Sequence, residues 1–185
     1  MQPPPIRTKR LELRPMTPAF LEPLLAGRRE DAETALDASL PDGWPDAHDT
    51  GFLRLRLDQM RAEPARLAWP VLAMALDGAF IGHLGFHGPP GVNSLRRGDA
   101  VEIGYSVLPP HRRNGFATEA VEGLLEWAER ERDIRVFIAS VAPDNEPSLA
   151  IIRRLGFVHV GEHWDEQDGR ELEFLLELPA ASPAC

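Results

Sequence analysis

The chain has 185 residues, enough for one domain with a core that needs no disulfide or metal to hold it together. With 43% hydrophobic and 26% charged residues, its composition is that of an ordinary globular protein. Acids outnumber bases 29 to 20, and the net charge of −9 argues against a general nucleic-acid or membrane-surface binder.

The first seven residues lack the apolar stretch of a signal peptide. Leu11 and Leu13 alternate with charged residues between Arg7 and Arg14, which predicts one half-buried strand. Thr17 is placed to cap a helix carrying Phe20, Leu21, Leu24 and Leu25 and closed by Gly27. Residues 28–48 read as acidic and irregular. A further helix is expected after Asp49 or Thr50, with Phe52, Leu53, Leu57 and Met60 on one side. Residues 67–76 and 79–86 are apolar runs joined by Asp77-Gly78, a strong hairpin signal. The longer run is too short to span a bilayer and contains Pro70.

A loop over 87–99 leads to a strand at 101–107, whose odd positions are apolar while Glu102, Gly104 and Ser106 face the other way. The clearest helix follows residues 109–115, with Ala117, Ala120, Val121, Leu124, Leu125 and Ala128 at helical spacing. Then come a strand at 134–141, a short helix at 147–155 and a hairpin of 157–164 with 170–178. This order describes a mixed α/β sheet. It is read as a single domain over 1–178, with residues 179–185 a frayed tail. Cys185 is the only cysteine, so no intrachain disulfide is expected and a cytoplasmic setting is the default.

Chemistry concentrates in the loop before the strong helix, Arg112-Arg113-Asn114-Gly115-Phe116-Ala117, an R-x-x-G-x-A pattern. First-turn amides have no helical acceptor and the helix dipole favours negative charge, so this is an anion site in physical terms. Arg112 and Arg113 add positive charge, and Thr118 offers a hydroxyl. Neither familiar nucleotide loop is present. A plain strand-to-helix turn is the competing reading of these residues alone. His83 and His87 would share a strand face, but no carboxylate or cysteine lies near them in the sequence, and no metal site is expected.

The surroundings narrow the choice. Residues 102–109 (EIGYSVLP) lie upstream, residues 142–148 (APDNEPS) and Leu155-Gly156-Phe157 downstream, and residues 7–15 (RTKRLELRP) open the chain. In this order they resemble the GNAT superfamily of acyl-CoA-dependent N-acyltransferases, above all its Rim-type branch, which acetylates N-terminal amines of ribosomal proteins. The likeness runs from residue 7 to about 178 and is strongest over 101–157. It implies a GNAT fold: a central, mostly antiparallel twisted sheet with a splayed parallel strand pair and flanking helices.

The resemblance also implies acetyl-CoA as co-substrate and direct attack by a primary amine in a ternary complex. The main chain of Ser106, Val107 and Leu108 would pair with the pantetheine arm. The amides of Arg113, Asn114, Gly115, Phe116, Ala117 and Thr118 would hold the pyrophosphate beside Arg112, and Asn145 would contact the pantetheine. The family usually has glycine where Arg113 stands, which leaves the loop's geometry open.

Glu102, on the polar side of its strand, is the candidate general base, directly or through water. An ordinary strand glutamate is the alternative. Ser148 is the candidate for protonating the leaving thiolate, because Rim-type relatives use a serine at that place. Its alternative is a first-turn helix serine. Trp44, Trp69 and Trp164 are candidates for walling an acceptor pocket, whereas Trp127 reads as packing.

The acceptor is an amine, on a small molecule or a protein N-terminus. Residues 30–53 hold seven acids and no Lys or Arg, and residues 162–173 hold six acids and one arginine; such runs ordinarily read as solvated surface, and would make an acidic mouth for a cationic acceptor if the two segments converge. Nucleic acid and membrane are not expected partners. Homodimers are common in the family, but these residues carry no signal for one. Two other readings stay open: a catalytically weak acyl-CoA-binding or sensing domain of the same fold, and an unrelated α/β phosphate-binding module.

Overall fold

A computed structural model describes residues 4–166 and 169–179, so most of the expected tail lies outside the described residues. The chain divides into two compact units, one formed by residues up to Gly85 with Tyr105–Ala120, the other by Phe86–Gly104 with the chain from Val121 on.

In the first unit the expected opening strand is instead two short ones, β1 (Ile6–Arg7) and β2 (Glu12–Pro15), paired antiparallel. Thr8 is the reason. Its amide donates to the Leu11 carbonyl at 3.0 Å, and the Leu11 amide donates back to the Thr8 hydroxyl oxygen at 3.0 Å, closing a tight turn. β2 pairs with β3 (Val71–Leu76), and β3 with β4 (Ala79–Phe86), as antiparallel neighbours. The turn between β3 and β4 is the expected one, with Asp77 at φ 49° and Gly78 at φ 78°. A 3-10 turn over Pro64–Ala68 takes the place of the front of the strand predicted over 67–76.

Three helices cover this sheet. α1 (Pro18–Leu25) buries Phe20, Leu21 and Leu24 as expected; Thr17 stands at its N-cap without a side-chain hydrogen bond. α2 (Arg29–Leu36) occupies a stretch read as irregular. It buries only Ala32 and Leu36, too few apolar positions to show a helical period, and its acidic first turn suits a helix N-terminus. α3 (Ala47–Ala62) starts earlier than expected because Asp46 caps it, accepting from the Asp49 amide at 2.8 Å. Leu53, Leu57 and Met60 join Phe20, Leu36 and Phe80 in one apolar cluster. Trp44 belongs to that cluster, its ring 4.1 Å from Phe80, and is core rather than pocket wall.

In the second unit β5 (Ala100–Val107), which ends in the first unit, runs parallel to β6 (Val136–Val141) from Ala100↔Val136 to Glu102↔Ile138. The pairing stops there although both strands continue. β6 pairs antiparallel with β8 (Gly169–Glu177), and β8 with β7 (Val158–Asp165). Along the sheet the order is β1-β2-β3-β4-β5-β6-β8-β7, mixed α/β and mostly antiparallel with one parallel pair. α4 (Phe116–Arg132) buries Val121, Leu124, Trp127 and Ala128, with Trp127 6.1 Å from Phe86. α5 (Glu146–Arg154) buries Leu149 and Ile152. Trp164 is exposed. Among the described residues no helix is long and apolar enough to cross a membrane.

His83 on β4 stacks on Phe52, ring centroids 4.9 Å apart, with Asp49 at 4.0 Å. Burial, reinforced by the charges of Arg56 and His48, pushes its imidazole down to about 4. The unfolded chain protonates this group near its ordinary value of 6.5, so it binds more protons than the folded chain between pH 6.5 and 4. Stability is expected to fall as pH drops through that window, by about 2–3 kcal/mol. His83→Gln should flatten that slope in Tm measured from pH 7 to pH 4.5.

Candidate functional site

The end of β5 sets up the first part of the site. The Leu108 amide donates to the Ile81 carbonyl of β4 at 2.9 Å, and the Leu108 carbonyl accepts from the His111 amide at 2.9 Å. Main-chain groups of successive strand residues point to opposite edges, so Val107 faces away from β4. Ser106 faces β4, its carbonyl oxygen against Gly82, where a Cβ would come within 2.3 Å. Ser106 and Leu108 thus turn main chain toward β4, and Val107 turns away from it. Val107 and Tyr105 share the outer edge, and period-2 alternation was the signal that identifies Tyr105. The Nε of Arg112 donates to the Val107 carbonyl at 2.8 Å, leaving the Val107 N–H as the donor on that edge.

After a 3-10 turn over Pro109–His111 comes the loop itself. Asn114 donates through Nδ2 to the carbonyls of His111 at 3.1 Å and Arg112 at 2.9 Å, closing the loop on itself. Arg113 and Gly115 are both left-handed, at φ 63° and 78°. The first backbone bond of α4 runs from the Glu119 amide to the Gly115 carbonyl at 3.1 Å, so the amides of Phe116, Ala117 and Thr118 precede the helical ladder. A concave run of amides with alternating backbone handedness at a helix N-terminus suits a diphosphate in shape and charge. Arg113 adopts the left-handed conformation that glycine would take without strain. Arg113→Gly is therefore expected to raise stability by up to about 1 kcal/mol, read as a higher Tm.

Glu119 lies in the first turn of α4. It accepts from the Thr8 hydroxyl at 2.7 Å, the Arg10 amide at 2.6 Å and the Arg10 Nε at 2.6 Å. Burial opposes its ionisation, but the hydrogen bonds from Thr8 and Arg10 outweigh it and hold the carboxyl below its ordinary value.

The second unit holds the remaining candidates. Glu102 is not on a solvated face: it is only 4% exposed. The loop between β4 and β5 folds over it, and its Oε2 accepts from the Ser94 amide at 2.7 Å while its Oε1 accepts from the Ser140 hydroxyl at 2.6 Å. The His87 amide donates to the Glu102 carbonyl, and the His87 ring, half exposed, places Nδ1 3.7 Å from Oε2. Gly104 makes room for that ring, since a Cβ there would lie 3.1 Å from His87 Nε2. Ser94, Ser140 and His87 went unread as partners of Glu102. The one signal was a lone hydroxyl, Ser140, in the otherwise apolar run 136–141.

Asn145 is the N-cap of α5 and accepts through Oδ1 from the Ser148 amide at 3.2 Å. Asn145 and Ser148 are thus brought together by one cap, in the same unit as Glu102, whereas residues 106–118 lie in the first unit.

Comparison with known proteins places this arrangement. Residues 10–158 match the Acetyltransferase (GNAT) domain family. Among curated proteins, the uncharacterized N-acetyltransferase YnaD of Bacillus subtilis is 29% identical over 108 residues, 53% of this chain and 59% of its own length. YjdG of the same organism is 32% identical over 42% of this chain and 44% of its own. The chain spans about half the length of these relatives. Among solved structures, an acetyltransferase from Agrobacterium tumefaciens is similar with a TM-score of 0.62 at 24% identity, over 96% of both chains. RimL, a ribosomal L7/L12 alpha-N-protein acetyltransferase solved with coenzyme A, gives a TM-score of 0.66 at 19% identity, over 95% of this chain and 98% of its own. With its matched region covering most of its length, the chain belongs to the GNAT acetyltransferase family.

Proposed function

We propose that residues 1–178 act as one catalytic domain that moves an acetyl group from acetyl-CoA to a primary amine, in the manner of the Rim-type branch. The observation that carries this reading is the loop at residues 112–118, whose two left-handed positions and free first-turn amides suit the diphosphate of an acyl-CoA. The Val107 N–H and the outer edge of β5 would take the pantetheine arm as an added strand. Asn145 would hold the same arm through its remaining amide group. The same Val107 N–H is suited to stabilise charge on the thioester oxygen as the amine attacks.

Glu102 takes the proton of the attacking amine, directly or through a water, as the new C–N bond forms. Its two hydrogen bonds fix the carboxylate, and the half-exposed His87 ring places Nδ1 3.7 Å from Oε2. As the C–S bond breaks, Ser148 donates a hydrogen bond or its proton to the departing thiolate. Two arginines in the loop suit the anionic co-substrate, and the acceptor would be a small amine or a protein N-terminus.

A site that binds the folded chain must stabilise it by mass action, so acetyl-CoA at about 100 times its Kd should add roughly 2.7 kcal/mol and raise Tm. No shift with acetyl-CoA would sink the reading and favour an unrelated phosphate-binding module. A shift without turnover on any amine would favour a sensing domain.

A further inference from the structure

We propose that Arg10 is a positioning residue for the phosphate loop: from the turn between β1 and β2 it holds the Asn114 carbonyl and the Phe116 ring in place and offsets the carboxylate of Glu119, which would otherwise repel a diphosphate. The inference rests on reading residues 112–118 as an acyl-CoA diphosphate site.

Arg10 meets the loop at several points. Its amide and Nε both donate to Glu119, its NH1 donates to the Asn114 carbonyl at 3.1 Å, and its guanidinium lies 4.5 Å over the Phe116 ring. A Cβ on Gly115 would come within 3.5 Å of its NH2. One side chain, more than a hundred positions away in sequence, thus touches Asn114, Phe116 and Glu119 in turn.

The Arg10–Glu119 contact also carries a charge argument. A carboxylate in the first turn of a helix is favourable to the helix but competes with any anion at the same N-terminus. Glu119 carries such a carboxylate next to the amides that would hold two phosphates. The Arg10 guanidinium, 2.6 Å from it, turns a repulsive neighbour into a neutral pair. Arg10 is 42% exposed, so the pair adds little to global stability, and its main effect is on the loop and its ligand.

The test uses the full chain and two ligands, acetyl-CoA and S-acetyl-pantetheine, which has the thioester arm without the diphosphate. Arg10→Ala is expected to weaken acetyl-CoA about tenfold while moving S-acetyl-pantetheine less than about twofold. Adding Glu119→Gln to Arg10→Ala should recover most of that loss, because the repelling charge goes with it. Arg10→Gln, which keeps hydrogen-bonding reach without charge, serves if the alanine variant does not fold. Equal weakening of both ligands, or a double variant no better than the single, would overturn the positioning role and leave the acyl-CoA reading standing. Equal affinity of the wild type for both ligands would remove the diphosphate site itself, and both readings would fall.

Discussion

Glu102→Gln is expected to lower kcat/KM for amine acetylation by roughly 10²–10⁴-fold, the usual contribution of a general base. The amide is nearly isosteric and cannot take a proton at neutral pH, so the loss tests the chemistry more than the packing. It is not silent in the fold. Both carboxylate oxygens now accept, from the Ser94 amide and the Ser140 hydroxyl, and glutamine has only one oxygen to offer. The Ser140 hydroxyl must then accept from the glutamine N–H instead of donating, which costs up to about 1 kcal/mol. Ser140→Ala separates the two effects: it removes one hydrogen bond but keeps the carboxylate. Ser140→Ala should retain most activity, whereas Glu102→Gln should not. A Glu102→Gln enzyme with unchanged turnover would show that the carboxylate is structural.

Gly82→Ala is expected to be among the most damaging single methyl groups in the first unit. Its Cβ would stand 2.3 Å from the Ser106 carbonyl oxygen and 2.9 Å from the Val107 Cα. Both are main-chain atoms of β5, so no rotamer change can relieve the clash. The neighbouring bond from the Leu108 amide to the Ile81 carbonyl keeps the two strands from parting without loss. The cost should be about 3 kcal/mol or more, which for a chain of this size lowers Tm by roughly 6–12 °C. Acetyl-CoA affinity should fall as well, since the displaced residues include Val107. Gly51→Ala is the control. It lies within α3 with no atom within 4 Å of the added Cβ, and should be neutral or stabilising by about 0.5–1 kcal/mol.

Some of this fold was plain in the sequence because the information is local. Asp77-Gly78 between two apolar runs specifies its own hairpin, and the spacing of Val121, Leu124 and Ala128 specifies α4. The loop at 112–118 was legible for the same reason, since its glycine and the helix that follows define it. What escaped was long-range. Alternation correctly separated Glu102 from its apolar neighbours, but whether that side of β5 meets water depends on where the loop over residues 87–99 folds. That loop lies across it, so the polar side is buried. Arg10 read as one more charge beside Leu11, because nothing in residues 7–15 points to Glu119. α2 was lost for a third reason: two buried residues, Ala32 and Leu36, do not make a period.

The most direct measurement of the central claim is release of free thiol from acetyl-CoA by the purified chain, against a panel of small amines, polyamines and peptides with free N-termini. Acceptor-dependent thiol release is expected for at least one cationic amine or peptide, with the acetylated amine found in equal amount by mass spectrometry. Acetyl-CoA bound tightly but never consumed with any acceptor would contradict the account and make this protein a binder of acyl-CoA rather than a transferase.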